Sequence, residues 1–138
     1  MADAPAWHSE LPRIAEERVA PEDLDARLRD ARQPFVVRGL AAHWPLVEAG
    51  RTGADDARRY LIEHRRNRSF PANVGVPGGG DRLFYDAAMA MNFTMAQGPL
   101  EGFLEAMARA GEDPEAPVIY LSSIDMRDYF VGLVEANS

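Results

Sequence analysis

From Pro34 to Gly39 the chain reads Pro-Phe-Val-Val-Arg-Gly, an apolar run with β-branched members opened by a proline and closed by a glycine. A strand buried on both faces has this pattern. Leu40 and Trp44 follow within reach of the same core, so Phe35, Val36, Val37, Leu40 and Trp44 are expected to be core residues. Pro45 is expected to stop His43 and Trp44 from continuing as helix. Just upstream, Pro21-Glu22-Asp23 followed by Leu24, Leu28 and Ala31 predicts a short helix, with proline and acids in its first turn and the leucines on one face. Thr52 and Asp55 read as a capping box for a second helix, in which Ala57, Tyr60, Leu61 and His64 keep helical spacing.

At Ser69 the period changes to two. Phe70, Ala72, Val74 and Val76 alternate with small or polar residues, which predicts a half-buried strand, and Pro71 predicts that it lies at an edge or starts late. Pro77-Gly78-Gly79-Gly80-Asp81 turns the chain, and Leu83-Phe84-Tyr85-Asp86 is expected to return as the partner strand of a hairpin. Met89, Met91 and Met95, interleaved with Phe93, are expected to fill irregular core. Pro99 opens the clearest helix, with Leu100, Phe103, Leu104 and Met107 on one face and Gly111 after its end. An exposed linker follows, then a buried strand over Val118-Ile119-Tyr120-Leu121 and a short helix or turn carrying Tyr129, Phe130 and Leu133.

Composition changes this picture little. With 138 residues, 46% of them hydrophobic and 27% charged, the chain has the makings of one globular domain or part of one. The absence of cysteine excludes disulfides and thiolate metal sites. No apolar run approaches the roughly 20 residues of a membrane span, and the N-terminus lacks a signal-peptide pattern, so a cytoplasmic protein with no membrane partner is expected. The net charge of −7 argues against nucleic acid as a partner. Arg58, Arg59, Arg65, Arg66 and Arg68 form a local exception, read as the solvated face of a helix.

Self-contained catalytic motifs are missing: there is no Gly-x-Ser-x-Gly elbow, no His-Glu-x-x-His and no dinucleotide fingerprint. His8-Ser9-Glu10 has the His-x-acid form of half an iron triad, but it falls in residues 1–12, a proline-flanked stretch without periodicity that reads as a tail. His43 reads as a turn residue and His64 as a residue at a helix end. The glycine-rich turn after Val76 lacks the lysine and the following helix of a phosphate loop.

The run Pro-Phe-Val-Val-Arg-Gly-Leu-Ala-Ala-His-Trp-Pro from Pro34 resembles the opening motif of the cupin-like, Jumonji-type (JmjC) oxygenases. Three later stretches agree with that family in order and approximate spacing. They are the helix ending in Tyr60-Leu61, the segment Leu83-Phe84-Tyr85-Asp86 leading to Asn92-Phe93, and Tyr120-Leu121-Ser122-Ser123. The resemblance begins near Ile14 and implies an α+β fold, with residues 13–138 forming the N-terminal helix and strand portion of a double-stranded β-helix, or jelly roll, that is incomplete as the chain stands.

The family holds Fe(II) through a His-x-Asp/Glu…His triad, binds 2-oxoglutarate beside it, and activates O2 to hydroxylate a C–H bond of a protein or small-molecule substrate. Its iron ligands lie downstream of the stretch matching Tyr120-Leu121-Ser122-Ser123. The resemblance therefore implies a dioxygenase if the chain continues past Ser138. It assigns no catalytic residue and no metal ligand here, and neither Fe(II) nor 2-oxoglutarate is expected to be held by these residues alone. Tyr120 is the one cosubstrate residue it carries over, matching the tyrosine that hydrogen-bonds the distal carboxylate of 2-oxoglutarate in the asparaginyl-hydroxylase branch. A buried tyrosine satisfied by backbone explains Tyr120 equally well. The alternative function is a non-catalytic binding or interaction module derived from the same fold, whose unpaired strand edges would favour pairing with another chain, a second copy included.

Overall fold

The structure is a computed structural model that describes residues 13–79, 82–111, 113 and 115–138. The expected tail at residues 1–12, with His8-Ser9-Glu10, lies outside the described residues. Helices and strands are mixed, giving an α+β chain that divides into two compact units, Met1–His43 and Trp44–Ser138. No helix among the described residues is long and apolar enough to cross a membrane.

In the first unit, β1 (Ala15–Glu17) pairs in parallel with β2 (Phe35–Val37). Parallel partners need a crossover, supplied by a 3-10 turn at Pro21–Asp23 and α1 (Leu24–Asp30). Two forked ion pairs fasten the ribbon: the Arg27 guanidinium donates to both carboxylate oxygens of Glu17, and that of Arg38 to both of Glu16. Arg27 also lies 4.2 Å over the Phe35 ring. The expected core at Phe35, Val36, Val37 and Leu40 is corrected here, since all four are only half-buried. A strand with one three-residue neighbour has little to bury against.

The second unit holds the buried core. Trp44, also expected in the core, is half-buried and precedes α2 (Pro45–Thr52). His43 and Trp44 stay outside any helix, as expected before a proline, and Pro45 itself opens the next one, because the first helical position needs no N–H donor and suits a fixed φ. Next, α3 (Ala54–His64) starts after Gly53 with no side-chain cap. The expected capping box is absent: the Thr52 hydroxyl donates back to the Glu48 carbonyl, and Asp55 pairs with Arg58.

Then β3 (Phe70–Gly75) forms the middle of a three-stranded sheet, flanked by β4 (Phe93–Gly98) and β5 (Ile119–Tyr120), both antiparallel to it. Pro71 was expected to mark an edge. It is tolerated in a central strand because β5 pairs only with Asn73 and Val74, so no neighbour on that side requires the missing N–H. The expected hairpin partner is also corrected: Phe93–Gly98 takes the place assigned to Leu83-Phe84-Tyr85-Asp86. That segment belongs to an excursion closed by a Tyr85–Met91 bridge, with the Asp86 carboxylate accepting from the N–H groups of Ala88 and Ala90. Nor do the methionines fill core, since Met89, Met91 and Met95 are exposed.

The predicted helix after Pro99 is present as α4 (Leu100–Ala110), with Leu100 and Leu104 buried. After β5 come α5 (Met126–Tyr129), capped by the Asp125 carboxylate, and α6 (Leu133–Ala136), entered through Gly132 at φ 65°. Phe70, Leu100, Leu104, Phe130 and Leu133 form the core cluster, against which Tyr60, Leu61, Phe103 and Met107 pack. The face of α3 read from sequence thus turns inward as expected, while Arg58 and Arg59 pair with Asp55 and Asp56.

Candidate functional site

Alternation along the three paired strands separates two chemically different faces. Phe70 and Ala72 of β3 are buried on one side. Pro71 and Asn73 take the other side, and the register sets Gln97, Met95 and Tyr120 beside them, with Gln97 opposite Pro71 and both Met95 and Tyr120 opposite Asn73. This second face is open: Met95 is 84% exposed and Tyr120 55%. The expectation of a buried strand over Val118-Ile119-Tyr120-Leu121 is therefore corrected, because pairing is confined to Ile119–Tyr120 and Tyr120 takes the open side.

A hollow of about 240 Å³ lies on this face, lined by Pro71, Asn73, Met95, Gln97, Ser122 and Ser123. The Asn73 amide donates to the Ser122 hydroxyl across 3.1 Å, which fixes both side chains and leaves the Asn73 carbonyl oxygen and the Ser122 O–H for other partners. Ser123 has φ 55°, a left-handed conformation seldom taken by residues other than glycine, asparagine or aspartate. The face thus offers a phenol, two carboxamides and two hydroxyls around a flexible thioether, on a sheet backed by packed core. Such a set can hydrogen-bond an oxygen-rich ligand, and it carries no formal charge of its own.

Of Tyr120 and the three histidines weighed as site residues from the sequence, Tyr120 alone among those described belongs to this face. His43 is exposed in the first unit. His64 ends α3 with Nδ1 2.8 Å from the Tyr60 carbonyl and its ring 4.2 Å from that of Tyr60, a packing arrangement at the helix end away from the sheet-face residues. Among the described residues no group of three His, Cys, Asp or Glu side chains is placed to hold a metal ion. The described residues therefore do not fit an iron centre by themselves, and no iron chemistry is derived from them. Sequence reasoning missed Asn73 and Gln97, and it quoted Ser122 within a motif without giving it a role. The period of two in Phe70–Gly75 put Asn73 on the polar face, but only the pairing with β4 and β5 shows what stands beside it.

The family model for a cupin-like domain matches residues 21–138. No curated protein and no solved structure matches the chain.

Proposed function

Since the chain belongs to the cupin-like domain family, we propose that the open sheet face forms one wall of the cosubstrate pocket of a Jumonji-type oxygenase using Fe(II) and 2-oxoglutarate. The observation that carries this reading is Tyr120: it stands on the open side of a sheet whose other side is core, beside Asn73 and Ser122. A phenol so placed donates one charge-assisted bond to a carboxylate oxygen, and the Ser122 hydroxyl is free to donate a second. Neutral donors can orient a dianion but cannot neutralise it. The reading therefore needs an iron triad and a basic partner for 2-oxoglutarate that the described residues do not supply. Bound there, iron and 2-oxoglutarate supply the oxidising chemistry, while the residues described here orient the cosubstrate and wall off the site.

A non-catalytic interaction module is the second reading. It is favoured by the excursion between β3 and β4, where Phe84, Tyr85, Met89 and Met91 all turn their side chains outward.

The separating experiment is to express the coding sequence through and beyond Ser138 and to follow succinate formation from 2-oxoglutarate with Fe(II) under air. Fe(II)-dependent succinate is the expected result. Its absence from a folded, iron-loaded protein would leave the interaction module.

A further inference from the structure

The arginines around the end of α3 and the turn of α5 have separate fates on a chain of net charge −7. Arg65 pairs with Glu101, and Arg68 donates to the Asp128 carbonyl while lying 4.0 Å over the Tyr129 ring. Arg66 is fixed by its backbone N–H to the Tyr129 carbonyl at 2.8 Å and by Nε to the Arg127 carbonyl at 3.3 Å. That brings Arg66 and Arg127 to one place, and among the described residues neither guanidinium has a carboxylate partner. Both line a hollow of about 230 Å³ together with Glu135 and Met126, and Met126 is 40% exposed, whereas Phe130 and Leu133 behind it belong to the core.

We propose that this hollow is a docking site for a short acidic segment of a partner protein, with an acidic side chain held by Arg66 and Arg127 and a neighbouring apolar side chain seated against the exposed Met126. The make-up of the hollow favours a peptide, because the exposed Met126 beside two guanidiniums suits an acidic and an apolar residue held next to each other in one chain. Shape favours a carboxylate, which a guanidinium fork grips through two parallel N–H bonds. The field adds selectivity, because a chain of net charge −7 repels an acidic segment over most of its surface and leaves this spot as a place to land. The many phosphates of a nucleic acid would meet that repulsion beyond the two arginines. The site is separate from the open sheet face and does not depend on the oxygenase reading.

The test is fluorescence anisotropy of the whole chain titrated into a labelled, end-blocked peptide with a Glu-Leu-Glu centre at low salt. Saturable binding is expected, weakened about tenfold or more by Gln-Leu-Gln and by Glu-Gly-Glu versions of the peptide and by Arg127→Glu. The Arg127 guanidinium makes no hydrogen bond or ion pair with another described residue, so circular dichroism of Arg127→Glu should match the parent. Glu135→Gln should tighten binding by removing the like charge at the rim. An Arg127→Glu variant that binds within about twofold of the parent would overturn the proposal. So would an oligothymidylate of equal charge that displaces the peptide at equal concentration, since the site would then read phosphates.

Discussion

The side-chain oxygen of Asn137 accepts the backbone N–H of Leu46 at 2.9 Å, across a sequence separation of 91 residues. Leu46 lies in the first turn of α2, whose preceding residue Trp44 provides no side-chain cap. A residue of the last turn thus closes one of the open donors that every helix start presents. The same amide donates to the Tyr60 hydroxyl at 3.1 Å and to the Leu133 carbonyl at 2.8 Å, so α2, α3 and α6 meet at one side chain. Asn137→Ala should lower unfolding stability by about 1–2 kcal/mol, the scale of a lost cap. Asn137→Asp, which keeps the acceptor and removes the donors, should fall between it and the parent in urea denaturation.

Phe70 is the most deeply buried large side chain, 1% exposed, with its ring edge-on to Phe130 at 5.6 Å and tilted against Tyr129 at 4.9 Å. Phe70→Ala should cost about 3–5 kcal/mol, the usual range for deleting a buried aromatic. Trp44→Ala should cost less, because its larger ring is already partly exposed. Equal losses in the two variants would return Trp44 to the core that the sequence suggested.

Acid should loosen the first unit before the second. The Arg27 fork holds the Glu17 carboxyl below its usual value near 4.5, and the Arg38 fork does the same for Glu16. A lowered folded value means that the contribution is present above the unfolded value and is lost as pH falls through the folded one. Amide exchange of Arg38, whose N–H donates to the Glu17 carbonyl at 3.3 Å, should therefore quicken below about pH 4 by more than that of Phe70. Glu17→Gln should flatten this pH response. High salt should reproduce part of the acid effect at neutral pH, since these pairs are open to solvent.

What the sequence made legible follows from which signals are local. The fourth helix carries its whole argument inside itself: a proline before it, Leu100, Phe103, Leu104 and Met107 at helical spacing, and Gly111 after it. Pro45 shows the limit, since a proline both ends one helix and opens the next, and its own segment does not decide between them. The choice of hairpin partner failed for a related reason. Leu83-Phe84-Tyr85-Asp86 stands next to the glycine turn and is rich in aromatics, whereas Phe93–Gly98 hides its alternation among Thr94, Met95 and Gln97. Nothing local shows that the chain makes an eleven-residue excursion from Arg82 to Asn92 before pairing. The candidate site inherits this error, because Met95 comes opposite Asn73, and Gln97 opposite Pro71, only in the register of that later strand. Tyr120 was suggested by family resemblance, while the residues that stand beside it follow from strand pairing and the Asn73–Ser122 hydrogen bond.

The phenol of Tyr120 allows the sharpest separation of the functional readings. Tyr120→Phe removes one hydroxyl and keeps the ring, and the exposed position means that the fold loses no buried partner. Stability should therefore change by less than about 0.5 kcal/mol, as for most surface substitutions. If the protein extended beyond Ser138 holds 2-oxoglutarate against this face, the same change deletes a hydrogen bond to a carboxylate. Such bonds contribute about 1.5–3 kcal/mol, so the apparent affinity for 2-oxoglutarate should fall roughly ten- to a hundredfold. Ser122→Ala should act in the same direction and more weakly, since Ser122 already accepts from Asn73 and its hydroxyl donates from a shared position. Measured by succinate formation against 2-oxoglutarate concentration, the loss should enter through KM and be overcome at saturating cosubstrate. An affinity within about twofold of the parent would mean that Tyr120 does not touch the cosubstrate. The open sheet face would then be better explained by a partner that covers it than by a reaction carried out on it.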